Sequence, residues 1–316
     1  MKTSTRLVWA TLATLPASAA FACASCGCSL SSDWESQGLT TGPGLHLDLR
    51  YDSLNQHQVR SGTGTVGTWP LAGHEQEQYT NNHYLTAALD YSANADWGLS
   101  VQVPQIVRTH ATNGLNFDGT DGGISSASRL GDVKVIGRYQ GLTEARDWGL
   151  QFGVKLPTGS FTQNFSGGAM AGMPLDRGVQ AGTGTTDAIV GLFHFAPISQ
   201  NWDYFAQAVA QLPLNSRNGY QPGRSLNANW GLRYLGLERL VPQLQINARV
   251  SGQDTGANAT PGDSGGKTVY LSPGVTYPIT DNIKVYGFVQ RPVYQNLNGY
   301  QLAPKLTASI GTRIEF

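Results

Sequence analysis

The 316-residue chain is only 13% charged and contains 39 glycines, against about 25% charged residues in an average soluble domain. Setting aside Lys2 and Arg6, 19 basic residues face 21 acidic ones, which excludes a basic face for nucleic acid. After residue 22 there is no apolar run of about 18 residues, the length a membrane-spanning helix needs.

In chain order, residues 1–22 read as a secretory signal peptide. A basic start (Lys2, Arg6) leads into the apolar "LVWATLATLPASA", which closes on Ala20-Phe21-Ala22, an A-x-A cleavage site. A lipoprotein cut before Cys23 normally has Leu three residues earlier, where this chain has Ala20. Next comes "CASCGCSLSSDW" (23–34), which holds all three cysteines, Cys23, Cys26 and Cys28. Their C-x-x-C-x-C spacing lacks the His of a haem-attachment site. A local disulfide, capture of Cu(I) or Zn²⁺, redox partnering and lipidation all stay open. No bound cofactor is expected. Residues 23–42 are too short for a domain and would form a periplasmic tail or a small plug.

From residue 43 the pattern is period-two alternation, the signature of strands with one face to lipid and one to a lumen. In the last segment Leu306, Ala308, Ile310, Thr312, Ile314 and Phe316 share one face. Lys305, Thr307, Ser309, Gly311, Arg313 and Glu315 share the other. Twelve such segments are predicted: 44–53, 82–92, 97–109, 131–141, 147–157, 186–196, 202–213, 225–236, 242–252, 267–277, 282–293 and 304–316. The segment 202–213 alternates least, because Phe205 and Val209 share a face with Gln207 and Gln211. Short links near 93–96, 142–146, 197–201, 237–241 and 278–281 alternate with longer polar ones near 54–81, 110–130, 158–185, 214–224, 253–266 and 294–303. The fold class expected is all-β: an antiparallel transmembrane β-barrel of about 12 strands over residues 43–316, both termini periplasmic.

Several motifs fit that frame. "NADWGL", "ARDWGL" and, more loosely, "QNWDYF" put Trp97, Trp148 and Trp202 after successive short links, where an aromatic girdle belongs. "VQVP", "VKLP", "AQLP" and "VQRP" put prolines near the outer ends of rising strands, where a missing N–H is tolerated. Pro104 follows its Trp by only seven residues, so it is a candidate wall interruption. Ser309, Gly311, Ile314 and Phe316 resemble the C-terminal assembly signal of outer-membrane proteins, which implies the barrel-assembly machinery as a partner, alongside outer-membrane lipids and a small-molecule solute. Candidate lumen-lining charges are Asp48, Arg50, Asp90, Lys134, Arg138, Lys155, Arg233, Arg249, Arg313 and Glu315. They would either pair and close a narrow barrel or form a selectivity lining with basic residues in excess.

The stretches "LDYSANADWGLSVQVPQIVRTH", "RLGDVKVIGRYQG", "WGLQFGVKLPTGSF" and "DRGVQAGTGTTDAIVGLFHF" resemble the proteobacterial outer-membrane transporter family of the meta-pathway of phenol degradation. A subgroup of that family shares the Cys-Gly-Cys element before "SLSSDW". More distantly the chain resembles channels for fatty acids and toluene. The resemblance covers about 80–316 and implies passive transport of small hydrophobic or aromatic compounds. The competing reading is a non-conducting barrel that docks periplasmic redox or metal partners through its cysteines. An enzyme is not expected: no His is followed two residues on by Ser, there is no G-x-S-x-G elbow, and "HEQEQ" lacks the second His of a zinc site.

Overall fold

The computed structural model describes residues 30, 34, 37, 38, 43–67, 77–113 and 120–316. The predicted signal peptide (1–22) and Cys23, Cys26 and Cys28 lie outside the described residues.

The described chain is almost entirely strand. β1 is Gly44–Gly62, β2 Glu77–Ser92 and β3 Trp97–Thr112. β4 comes in two pieces, Gly123–Leu130 and Lys134–Tyr139, and β5 is Trp148–Lys155. β6 is Asp187–Ser199, β7 Trp202–Pro213, β8 Ser225–Tyr234, β9 Val241–Ser251 and β10 Gly266–Pro278. The remaining element, Ile283–Glu315, doubles back at Gly299 (φ +52°). Its first half, β11 (283–297), pairs with β10, and its second half, β12 (301–315), pairs with β1. Each strand is antiparallel to its neighbour. Because β1 also pairs with β2, the sheet closes into a barrel of twelve staves.

All twelve predicted segments are staves, with differences at the long-loop end. β1, β2 and β3 run for 19, 16 and 16 residues, well past the roughly 9–11 needed to cross a membrane. Their extra turns, such as "NQHQVRSG" in β1, are polar on both faces, so alternation vanishes where lipid ends. The link expected over 294–303 is the tight turn around Gly299 instead of a long loop. Pro157 and Pro213 stand at stave ends as expected, whereas Pro104 lies within β3 opposite Thr86 and Pro292 lies beside a bulge in β11.

Outward side chains form an apolar band: Leu49, Leu85, Leu89, Leu99, Leu150, Phe152, Leu192 and Ile246 are all exposed. At the short-turn end Trp97, Trp148 and Trp202 each open a stave and lean on an aromatic residue of the next. Ring centroids are 4.7 Å from Tyr139, 4.4 Å from His194 and 4.9 Å from Tyr234 respectively. A closed wall satisfies its own backbone groups and shows apolar side chains to the surroundings, the arrangement a lipid bilayer demands. The described chain therefore has the build of a membrane-spanning β-barrel.

The interior is the reverse of a soluble core. Its buried groups are mostly Gln, Asn, Ser, Thr and paired charges. Four large side chains that face inward pack against glycines of neighbouring staves. Phe193 lies over Gly149, Phe205 over Gly231, Phe288 over Gly274 and Tyr286 over Gly311, leaving no room for a Cβ at any of those glycines. This explains the irregular 202–213 segment: Phe205 does face inward with Gln207 and Gln211, and Gly231 makes a seat for it.

Candidate functional site

The inner wall divides into a neutral arc and a charged arc. The neutral arc is a chain of side-chain amides running from β5 to β11. Gln207 Nε2 donates to Gln151 Oε1 (2.9 Å), Asn229 Nδ2 to Gln207 Oε1 (3.4 Å) and Asn247 Nδ2 to Asn229 Oδ1 (2.8 Å). Ser272 Oγ then donates to Asn247 Oδ1 (2.6 Å) and Gln290 Nε2 to Ser272 Oγ (3.2 Å). β6 contributes no amide here; its Gly191 leaves space beside Gln151. An amide both donates and accepts, so neighbours of this kind satisfy one another without a net charge.

On the charged arc, spanning β12, β1, β2 and β4, Arg313 Nη1 meets Asp90 at 2.9 Å and Arg50 Nε meets Asp52 at 2.8 Å. Asp52 also accepts from Ser309 Oγ (2.6 Å), and Asp48 accepts from the Tyr286 hydroxyl (2.9 Å). Arg138 Nη2 donates to Ser92 Oγ (3.0 Å), and Glu315 pairs with Lys284 (2.7 Å). Across the barrel Arg233 grips Asp203 with two nitrogens (2.7 and 2.9 Å).

Two cations stand apart. Lys134 of β4 has no hydrogen-bond or ion-pair partner among the described residues, and the charges that act on it most are Arg249, Lys155 and Arg50. Among the described residues Arg249 of β9 donates only to neutral groups, Ser251 Oγ (3.0 Å) and Asn227 Oδ1 (3.1 Å). β4 and β9 lie on opposite sides of the ring. The inner wall thus holds two cations that make no ion pair among the described residues.

The break between the two pieces of β4 has a structural use. Gly131 N still donates to Pro104 O (2.8 Å), so the wall stays bonded beside Pro104. Asp132, freed from the ladder, accepts from Lys155 Nζ (2.8 Å), Gly159 N (2.9 Å) and Thr183 N (3.0 Å). Lys155 also donates to Thr185 O (2.9 Å) and meets Asp187 at 3.4 Å. This cluster ties down both ends of the loop 156–186. Its middle is held by buried Arg108, which donates from Nη1 to Val179 O (2.7 Å) and Gln180 O (3.1 Å). The loop folds over the inner face of the wall, carrying a small core of Phe165, Leu175 and Val179.

With the loops 214–224 and 252–265, that loop encloses a cavity of about 520 Å³ at the long-loop end. Arg177 is sandwiched there between the rings of Phe161 (4.8 Å) and Tyr220 (4.9 Å). Burial lowers its pKa from the usual arginine value. Asp254 accepts from the Tyr220 hydroxyl (2.9 Å) and Gly223 N (2.8 Å), and its burial raises its pKa above the usual carboxylate value.

At the opposite end the described N-terminal residues sit against the inner wall. Trp34 is buried edge-on to Tyr286 (5.4 Å), with Leu30 and Phe288 alongside and the Arg313 guanidinium 5.7 Å from its ring. Arg233 Nη2 donates to the Gln37 carbonyl (2.7 Å). The assembly-signal residues all lie on the β12 seam: Gly311 seats Tyr286, Ile314 faces Leu47, and Phe316 N donates to Leu45 O (3.0 Å).

The ten charges proposed from alternation all lie on the stave faces opposite the apolar band. Alternation did not single out the amide arc, the glycine seats, Asp132, Arg108 or Arg177. A separate, local pairing occurs in "RYQG" and "RYLG", where Tyr139 and Tyr234 lie against Gly141 and Gly236.

No protein-family model matches the chain, and no curated protein matches it. Among solved structures the fold is similar to an outer membrane channel from Pseudomonas putida F1 (TM-score 0.64, 13% identity, 91% of this chain and 99% of that chain). Weaker likenesses include the β-domain of a Bordetella autotransporter (TM-score 0.49, 12% identity, 87% and 100%). Another is a toluene transporter from Ralstonia pickettii (TM-score 0.45, 12% identity, 89% and 91%). At these identities the similarity to the Pseudomonas protein establishes a shared fold.

Proposed function

We propose that this barrel is a passive outer-membrane channel for small compounds with an apolar or aromatic body, and that its lumen favours anions. The observation that carries the reading is the pairing state of the inner wall. Asp52, Asp90, Asp187 and Asp203 are each held by a cation or a hydroxyl, while among the described residues Lys134 and Arg249 pair with no carboxylate. A lumen with surplus positive charge and low-dielectric walls concentrates anions. The rings seated on glycines support passage, because they lie along the wall instead of crossing the lumen. The fold shared with the Pseudomonas channel is consistent with the same role. The aromatic preference rests on the family resemblance of the sequence. In this reading the short turns and both termini face the periplasm and the long loops face outward.

Planar-bilayer recording of the full-length protein under a KCl gradient tests it. The expected result is discrete conductance steps with a reversal potential of the sign given by excess chloride permeability. Absence of conductance, together with no uptake defect on deletion, overturns the channel reading. Conductance with cation preference overturns the anion preference alone.

A further inference from the structure

The cavity at the long-loop end combines features that pick out one kind of ligand. Its volume of about 520 Å³ falls within the range of about 300–1,000 Å³ typical of small-molecule sites. Its wall mixes Pro174, Leu175 and Ala259 with a single cation, Arg177. The guanidinium carbon lies 4.8 Å from the Phe161 ring and 4.9 Å from the Tyr220 ring, so both rings hold the group in place. Its Nη2 donates to Thr183 O (2.6 Å) and its Nε is buried without a hydrogen-bond partner among the described residues. Nη1 makes no hydrogen bond among the described residues.

Asp176 and Asp254 also line the cavity, and neither pairs with Arg177 among the described residues. The Asp254 oxygens are turned to Tyr220 and Gly223, where they join one loop to another. Arg177 itself makes no ion pair among the described residues, and the two rings and Thr183 O fix its place. A guanidinium stacked between rings is pre-organised to receive a coplanar acceptor group, and carboxylate geometry matches its edge. Once a carboxylate lies in that plane, the rest of a flat ligand lies beside Pro174 and Leu175.

We propose that this cavity is a capture site for small aromatic carboxylates, with Arg177 receiving the carboxylate and Phe161 and Tyr220 holding the guanidinium in plane. The proposal rests on the channel reading for its biological sense, since a site at the outer mouth would load the lumen with the anions that Lys134 and Arg249 favour. Its chemistry stands independently of conduction.

The test is calorimetric titration of the purified full-length barrel in detergent with benzoate, benzamide and acetate. Saturable benzoate binding is expected, with benzamide and acetate each weaker by about tenfold or more. Arg177→Gln should lose about tenfold or more in benzoate affinity and leave benzamide unchanged. Arg177→Lys, which keeps the charge and loses the planar fork, should fall between wild type and Arg177→Gln. It carries the same comparison if the Gln variant loses the heat-modifiable gel mobility of a folded barrel. Equal binding of benzoate and benzamide, or a charge-neutral variant that binds benzoate as well as wild type, overturns the site. A protein that conducts without preferring benzoate overturns the capture site and leaves the channel. One that prefers benzoate without conducting does the opposite.

Discussion

The two arcs of the inner wall solve the same problem by different chemistry. Both must bury polar groups inside a ring of strands. The amide arc does so with repeated donor–acceptor relays between residues of one kind, Gln151, Gln207, Asn229, Asn247 and Gln290. The charged arc uses dedicated couples such as Arg313–Asp90 and Arg50–Asp52. A relay shares the loss of one member among neighbours, whereas a couple leaves its survivor stranded. The amide arc is therefore a tolerant wall, and the charged arc is where single residues decide stability and selectivity.

The largest expected effect comes from breaking a couple. Arg313→Met leaves Asp90 inside the wall without its cation, and removing one partner of a buried pair costs about 3–5 kcal/mol. Denaturant unfolding of the barrel in lipid vesicles would show it as a lowered midpoint. Asn229→Leu interrupts the relay and should cost less, about 1–3 kcal/mol, the penalty of leaving buried hydrogen-bonding groups unmade. If the two variants are equally unstable, the contrast between the arcs fails.

Lys134→Gln sharpens the comparison from the other side. Lys134 has no partner among the described residues to strand and is half-buried near other cations, so its loss should leave the unfolding midpoint unchanged or raise it. The reversal potential in a salt gradient should shift toward zero, and further when Arg249→Gln is added. A stability loss comparable to that of Arg313→Met would show that Lys134 belongs to the paired wall after all.

The smallest effect lies outside the membrane. Burial raises the Asp254 pKa in the folded loops above its ordinary value of 3.8, so the folded form holds its proton more tightly than the unfolded form. Its contribution to loop stability is then fully present below that ordinary value and is lost as pH rises through the raised one. Hydrogen exchange in 214–224 and 252–265 should accelerate, beyond the intrinsic pH trend, as pH rises from the ordinary carboxylate value through the raised one. Asp254→Asn should flatten that difference.

How much of this was legible depended on whether the signal was local. Alternation in segments such as 244–250 and 306–316 marked the staves, because lipid and lumen impose opposite demands on adjacent residues. It failed where both faces are wet, as in the outer turns of β1 and β2, and at Gly131–Val133, where the chain leaves the ladder so that Asp132 can anchor a loop. The glycine seats were illegible for another reason. Phe205 and Gly231 meet only through the register of two strands, and no window along one strand contains both. Arg177 was hidden likewise, since its two rings come from residues 161 and 220 on different loops. Pro104, offered by its short spacing as a wall interruption, lies where β4 breaks: ladder pairing lapses between Gln102–Lys134 and Gln105–Leu130, and Gly131 N still bonds Pro104 O.

The seam between β1 and β12 bears on how the molecule is made. Its partners are nearly the most distant in sequence, His46 with Glu315 and Leu47 with Ile314, whereas the other staves mostly pair with neighbours in the chain. Contacts of such separation carry the largest loop-closure entropy and form late. Until they form, the nascent sheet has two raw edges, each a template for pairing with another chain. Assembly must therefore shelter both edges until residues 301–316 arrive, and the step that joins them is the step at which an aggregation-prone sheet becomes a sealed cylinder.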